Sequence, residues 1–391
     1  MVTMATADNA LKTAYLGVVS DQLNTTVNPL LAKIKQTAED VWGKEIRKLA
    51  RYGINGGIGA GDEDGALPGA AGNNYEQFVL TLKNLYGTIE ISDKAMRASE
   101  SSSGAFVNLL NAEMEGLIKA SSYNFGRMLF GDGSGVLAKV ASITSGVITL
   151  DSVKNIVEGM VVDFRAAADG SVIASAGARR VLIVDRTNKT ITVGGTTLTD
   201  TTVPANSLVT VQGSYNQEIT GLGAIFKSTG TIYGLDRASH KWLIPYIKTD
   251  VGSISETVIQ TAIDYLDETA GSKVNFIVCS SGVKRAFQNH LSTYKRNVDV
   301  MELKGGYKAL SYNGIPIISD RFCPAGTMYL LNTDDFALHQ LCDWKWLEGE
   351  DGKVIKQVAD KPVYKATLVK YADLLCSRPC GQAMLSGITE A

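Results

Sequence analysis

Apolar residues recur along this chain with helical spacing in some stretches and strict alternation in others, and the two patterns divide it into regions. Asn28-Pro29 reads as a helix start, because Asn is a good cap and Pro at the first helical position loses no hydrogen bond. Leu30, Leu31, Ile34, Ala38, Val41 and Trp42 follow at helical spacing, up to Gly43. Residues 44–52 are charged, with Ile46 and Leu49 as apolar punctuation, and read as a short exposed strand. Stretches 75–82 and 85–92 are β-prone, and Ile89 and Ile91 alternate with Glu90 and Ser92 as in a half-buried strand. The longest helical pattern covers 105–130, behind a cap at Ser101-Ser102-Ser103. Phe106, Leu110, Leu117, Ser121, Phe125 and Met128 mark one face, and Gly131-Asp132-Gly133 stops it. At ~1.5 Å per residue this makes a rod of roughly 40 Å, long enough to act as a spine.

The pattern then changes abruptly. Over 136–213, Val, Ile and Thr supply 31 of 78 residues and Phe164 is the one aromatic. Residues 143–150 and 180–193 read as hairpins, so the region predicts a small barrel or sandwich inserted after the spine. From Gly221 onward helix and strand mix. Ser253-Ile254-Ser255-Glu256 reads as a capping box before a helix with Val258, Ile259, Ala262, Ile263 and Leu266. Residues 274–279 form an apolar strand pattern, and Ser280 or Ser281 caps a second helix with Val283, Ala286, Phe287 and Leu291. Asn313-Gly314 predicts a tight hairpin between 309–312 and 315–318. Residues 328–331 read as a buried strand, and 363–375 as a long strand returning towards the spine.

Between the first strands lies 53–74, GINGGIGAGDEDGALPGAAGNN, with eight glycines and the acidic triplet Asp62-Glu63-Asp64. Such a composition cannot build a core, so it predicts a long loop at the tip of a projecting ribbon. At 391 residues the chain is long enough for two or three domains. A formal net charge of −2 provides no electrostatic footprint for tight binding to nucleic acid or anionic membrane. The five cysteines, all in the last third, are odd in number and read as reduced thiols. The N-terminal stretch lacks the basic and long apolar regions of a signal peptide, and no eighteen-residue apolar run occurs, so the expectation is a soluble, cytosolic product.

Candidate chemistry is thin. In the glycine-rich loop Gly57 and Gly59 are followed by Asp62 where a dinucleotide fingerprint needs glycine, and three acids would repel phosphate. Asp62-Glu63-Asp64-Gly65 lacks the third alternate ligand and the distal glutamate of a calcium loop, so solvated charge is the simpler reading. Asp132 stands at the first glycine position of what would be a nucleophile elbow at Gly133-Ser134-Gly135. His339, Cys342, Cys376 and Cys380 could form a zinc set on paper, but the spacings are loose and free cysteines commonly serve as small buried hydrophobes. His240 and His290 adjoin no nucleophile motif. No catalytic residues, cofactor or metal are expected, and the chain is read as a non-enzyme.

What remains is an arm, a projecting ribbon, a spine and two further lobes, which suits a protein that reaches over its neighbours. On this order, and on Asn313-Gly314-Ile315-Pro316-Ile317-Ile318-Ser319-Asp320, Met328-Tyr329-Leu330-Leu331-Asn332-Thr333 and the linker Glu218-Ile219-Thr220-Gly221-Leu222, the chain resembles the major capsid proteins of tailed bacteriophages. Their Hong Kong-type shell fold is shared with encapsulins and the herpesvirus capsid floor. The resemblance implies an α+β fold with an N-terminal arm (1–50), an extended E-loop (51–92), the spine and P-domain (93–135), a β-rich insertion domain (136–213), an A-domain (214–362) and a closing P-domain strand with the C-terminus (363–391). It further implies self-assembly into pentamers and hexamers of an icosahedral head, with Asp62, Glu63 and Asp64 at the contacting loop tip. Implied partners are a separate scaffolding protein, a portal protein, a decoration protein and the enclosed double-stranded DNA, held without sequence-specific binding. No membrane is implied, and the location is the virion, with host cytoplasm during assembly.

Two departures matter. Residues 52–82 contain no lysine, so the lysine–asparagine cross-link of one branch of the family lacks its nucleophile there. The arm is also too short to hold a fused scaffolding domain. An encapsulin-like compartment is the alternative within the fold, though insert and length favour a phage. A cytosolic hydrolase using His339 or Cys342 is the alternative outside it.

Overall fold

The computed structural model describes residues 28–39, 41, 45–94, 103–294, 300–302, 308–349 and 352–391. The spine is a helix of 28 residues, Ser103–Phe130. Met114, Ile118, Phe125, Met128, Leu129 and Phe130 bury one side of it in the main core. Ser121, Phe125 and Met128 lie where the helical spacing puts them, while the side chains of Phe106 and Leu110 fall outside the described residues.

Two sheets flank this core. Strand Val363–Cys376 is central to a five-stranded sheet, pairing antiparallel with Phe336–Trp346 on one side and with Lys83–Ser92 on the other. Its inward positions, Ala366, Leu368, Ala372 and Leu374, join the main core. The second sheet has seven strands, in the order Tyr246–Lys248, Ala383–Leu385, Met328–Leu331, Phe276–Cys279, Ile315–Ser319, Lys308–Tyr312 and Val300–Glu302. Its period-two alternation serves two cores. Phe276, Val278, Tyr329 and Leu331 face the main core, whereas Ile277, Cys279, Met328 and Leu330 face helices Glu256–Ala270 and Ser281–Tyr294. All eight side chains are buried, which explains why these strands read as continuous apolar runs.

Six strands between Val136 and Val211 close into a barrel. It has its own core, centred on Ile148, Ile156, Val162, Phe164, Val203 and Val209. Closure leaves no unpaired edge, so short Val- and Thr-rich strands suffice.

Local signals are mostly realised. Asn313 and Gly314 both take positive φ (49° and 79°) in the hairpin turn, as a two-residue loop of this kind requires. Ser280 caps the second helix by accepting from Val283 N at 3.3 Å. Two expectations need correction. The first helix of the lobe is capped by Ser255, whose Oγ accepts from Val258 N, so the Ser253–Glu256 box is two residues out of register. The helix expected from Asn28 stops after one turn. Asn28 does cap it, accepting from Leu30 N and Leu31 N at 3.1 Å each. Lys35–Thr37 then turns extended and pairs parallel with Ala337–His339 of the five-stranded sheet. Leu30, Leu31 and Ile34 are buried in the main core, so the sheet edge offers this segment more than further helical turns would.

Candidate assembly surface

The ribbon is formed by Ile46–Tyr52 and Asn74–Leu80, in antiparallel register from Ile46↔Leu80 to Tyr52↔Asn74. Strand Lys83–Ser92 is not part of it, having turned back into the five-stranded sheet. The base of the ribbon is anchored. Ile46, Phe78 and Leu80 enter the main core, Tyr52 stacks on Trp242 at 5.2 Å, and Val79 N donates to Tyr233 O. The rest is uncovered. Residues 53–73 are all exposed, including Ile54 (74%), Ile58 (73%) and Leu67 (90%). The two arms of the loop lie close together. A Cβ on Gly59 would sit 3.0 Å from Pro68 Cγ, and one on Gly57 would sit 3.2 Å from Ala71 N. Asp62 O accepts from Gly65 N in the turn at the end, so the acidic triplet occupies the very tip. None of the three acids ion-pairs with a described residue, and the sequence places no Lys or Arg between 53 and 73.

The opposite extreme is the junction 214–226, where buried polar groups join the spine to the closing strand. Arg127, in the last turn of the spine, clamps Glu218 with both terminal nitrogens, one bond being 3.0 Å from Nη1, and also donates to Asn124 Oδ1. Both partners are almost fully buried. Two residues on, Thr220 donates its N–H (2.6 Å) and its hydroxyl (3.1 Å) to Asp373 of the closing strand. Burial pushes the Asp373 carboxyl up to about 6, against the downward pull of those bonds and of Leu374 N. Gly221 has no room for a side chain, since a Cβ would lie 2.3–2.8 Å from the carbonyl oxygens of Met128, Gly131 and Leu129. Arg237, also buried, donates to the carbonyls of Ala224, Ile225 and Thr229. On the closing strand, buried Lys370 donates to Gln340 (2.8 Å) and Asp343 (2.6 Å). Its own burial lowers its pKa while Asp343 opposes the shift. The sequence pattern marks Glu218–Leu222 but gives Arg127, Asp373, Lys370 and Arg237 no role. The available signal was a lone charge inside an apolar run, as in Val369-Lys370-Tyr371-Ala372-Asp373-Leu374.

These groups tie the spine, the junction and the closing strand together. Each charge is spent on a fixed partner. The structure does not assemble the zinc set. Cys376 pairs in register with Phe336, and Cys342 with Tyr371, at separate points along the same two strands. Among the described residues no group of three His, Cys, Asp or Glu could hold a metal ion, and no helix is long and apolar enough to cross a membrane. Burial pushes the Cys279 thiol up to about 12 and the Cys323 and Cys376 thiols up as well, which suppresses thiolate chemistry.

No family model matches the sequence, and no curated protein matches it. Solved structures do. The chain is similar to a subunit of the cyanophage A-1(L) capsid, with a TM-score of 0.57 at 14% identity over 94% of both chains. Lower scores relate it to the holo-SrpI encapsulin of Synechococcus elongatus PCC 7942 (0.49, 11% identity, 95% of both chains) and to the capsid of Myoviridae phage XM1 (0.48, 11% identity, 93% of this chain and 92% of that one). Along nearly its whole length, then, the chain shares the fold of a cyanophage capsid subunit, in keeping with the Hong Kong-type shell fold that its sequence resembles.

Proposed function

We propose that the protein is the major capsid protein of a tailed bacteriophage, assembling through pentamers and hexamers into an icosahedral head around double-stranded DNA. The observation that carries this reading is the projecting loop 53–73, which holds Ile54, Ile58 and Leu67 in solvent on a fold that a phage capsid subunit uses. A monomer gains nothing from holding apolar side chains out on a ribbon; burial against a neighbour makes them stabilising. Under this reading the parts take the family's names: arm, E-loop, spine and P-domain, A-domain, with the barrel as an insertion domain. A separate scaffolding protein, a portal and a decoration protein are the accessory partners, the location is the virion, and no catalysis is involved. The buried joints at 214–226 keep the spine and closing strand rigid while the ribbon adapts to five-fold and six-fold surroundings.

Electron microscopy of the purified protein, alone and co-expressed with a candidate scaffold, tests the proposal. Closed shells or five- and six-membered rings are expected. A species that stays monomeric under every condition would overturn it.

A further inference from the structure

Three cations cluster where the barrel meets the body, and none of them makes a salt bridge with a carboxylate among the described residues. Lys154 and Arg186 come from the barrel and Arg321 from the body, and all three are exposed. Arg186 Nη1 approaches Val153 O at 3.5 Å, which sets it beside Lys154. The Lys154 ammonium crosses the seam to donate to Cys323 O. Two residues from Cys323, the Arg321 guanidinium carbon sits 4.7 Å from the centre of the Phe322 ring and 5.1 Å from that of Tyr123 of the spine. Arg321 and Arg186 both act on the Tyr123 hydroxyl, so the two guanidiniums share one neighbourhood.

Four acids stand near the cluster. Asp132, on the cleft wall, pairs with Lys227. Lys154 acts on both Asp320 and Glu390, and Arg321 also acts on Asp320, whose Oδ2 accepts no hydrogen bond from the described residues. Asp185 accepts from Thr187 N and Asn188 N in its own turn. Asp320 is buried, accepts from Phe322 N, and has its carboxyl pushed up by that burial. Glu390 accepts from Ser280 and Gly326. Beside the cluster opens a cleft of about 440 Å³, with Ser152, Lys154 and Asn155 on the barrel side and Phe322, Pro324 and Ala325 on the other. Three like charges around a seam repel one another, so an anionic occupant would stabilise the closed arrangement.

We propose that this seam receives the acidic tip Asp62-Glu63-Asp64 of a second copy of the chain. The inference rests on the shell reading and names the contact that the tip would make. Charge complementarity supports it. The tip offers three adjacent carboxylates without a cation in its own loop. The seam offers three exposed cations that make no salt bridge among the described residues, with the buried Asp320 as the acid beside two of them. The tip also ends a ribbon that stands clear of its own body, so it is free to act in trans. A compact triad at a seam suits a short acidic segment better than a duplex, which calls for a basic stripe. Docking there would couple neighbour contact to the pose of the barrel on the spine.

Zero-length carbodiimide coupling on an equal mixture of unlabelled and nitrogen-15 chains tests the contact directly. A mixed-isotope peptide joining Lys154 to residues 62–64 is expected. Charge swapping tests its energetics through the concentration needed for assembly. Arg186→Glu with Arg321→Glu, and separately Asp62→Lys with Glu63→Lys and Asp64→Lys, should each raise that concentration about tenfold or more. Combining the two sets should recover most of the loss, as opposite charges re-pair. Arg186→Gln with Arg321→Gln, milder for folding, should give the same loss in weaker form. Shells that form normally yet yield no such cross-link, or a combined variant no better than its parents, would overturn the inference and leave the shell reading intact. The same holds if the glutamate pair assembles normally but loses affinity for a short DNA duplex, which would make the seam a nucleic-acid contact. A chain monomeric at all concentrations would overturn both.

Discussion

The junction 214–226 and the loop 53–73 are both glycine-containing connections, yet one is packed around buried, paired charges and the other is exposed throughout. In the junction Gly221 is required because three carbonyl oxygens close around it, and the flanking charges Glu218 and Arg127 are desolvated and paired. In the loop Gly69 and Gly72 have nothing within 4 Å, and the acids face water. Glycine therefore supplies close approach in one place and conformational freedom in the other. Under the proposed shell reading, a rigid joint and an adaptable contact are complementary needs of a subunit that occupies several related environments.

The largest test of this contrast is Glu218→Ala, which strands the Arg127 guanidinium in the core. A loss of about 3–5 kcal/mol is expected in urea unfolding, whereas replacing both partners by Met should recover most of it. The next test is the pH dependence at Asp373. Its folded-state pKa of about 6 lies above the ordinary carboxylate value of ~3.9, so the folded protein holds the proton more tightly than the unfolded chain. Stability from this group is full below pH ~4 and is lost as pH rises through about 6, by on the order of 3 kcal/mol. Unfolding at pH 4.5 and 7.5 should show that component in the parent and not in Asp373→Asn. An unchanged difference between the two would remove Asp373 from the account.

Gly221→Ala should cost about 1–3 kcal/mol, because the new Cβ meets backbone that cannot step aside. By contrast, Gly72→Ala should leave the melting temperature unchanged or raise stability by up to ~1 kcal/mol through the unfolded chain. Equal losses at the two glycines would erase the distinction. The smallest effect on the monomer is expected from Leu67→Ser and Ile58→Ser, at less than ~0.5 kcal/mol. Their consequence should instead be weaker association, read as a higher concentration for assembly in light scattering.

Local rules carried much of the fold. The Asn313-Gly314 turn, the Asn28 cap, the spine from Ser103 to Phe130 and the barrel strands follow from propensity, capping and alternation that act within a few residues. The Asn28 segment shows where such rules end. Its helical spacing is real for one turn, after which Lys35–Thr37 takes a sheet edge supplied by residues three hundred positions away. Strand Lys83–Ser92 likewise reads as a ribbon strand until Val363–Cys376 offers ten paired positions.

The candidate surface divides in the same way. Composition alone revealed the exposed loop and its acidic tip, because eight glycines and three adjacent acids cannot make a core. The joints Arg127–Glu218 and Thr220–Asp373, and the seam of Lys154, Arg186 and Arg321, depended on tertiary structure, because a charge is paired or stranded only by what packing brings beside it. Spacing in sequence determines which face of an element is apolar; the partners of a buried or crowded charge come from long-range contacts that no local pattern encodes.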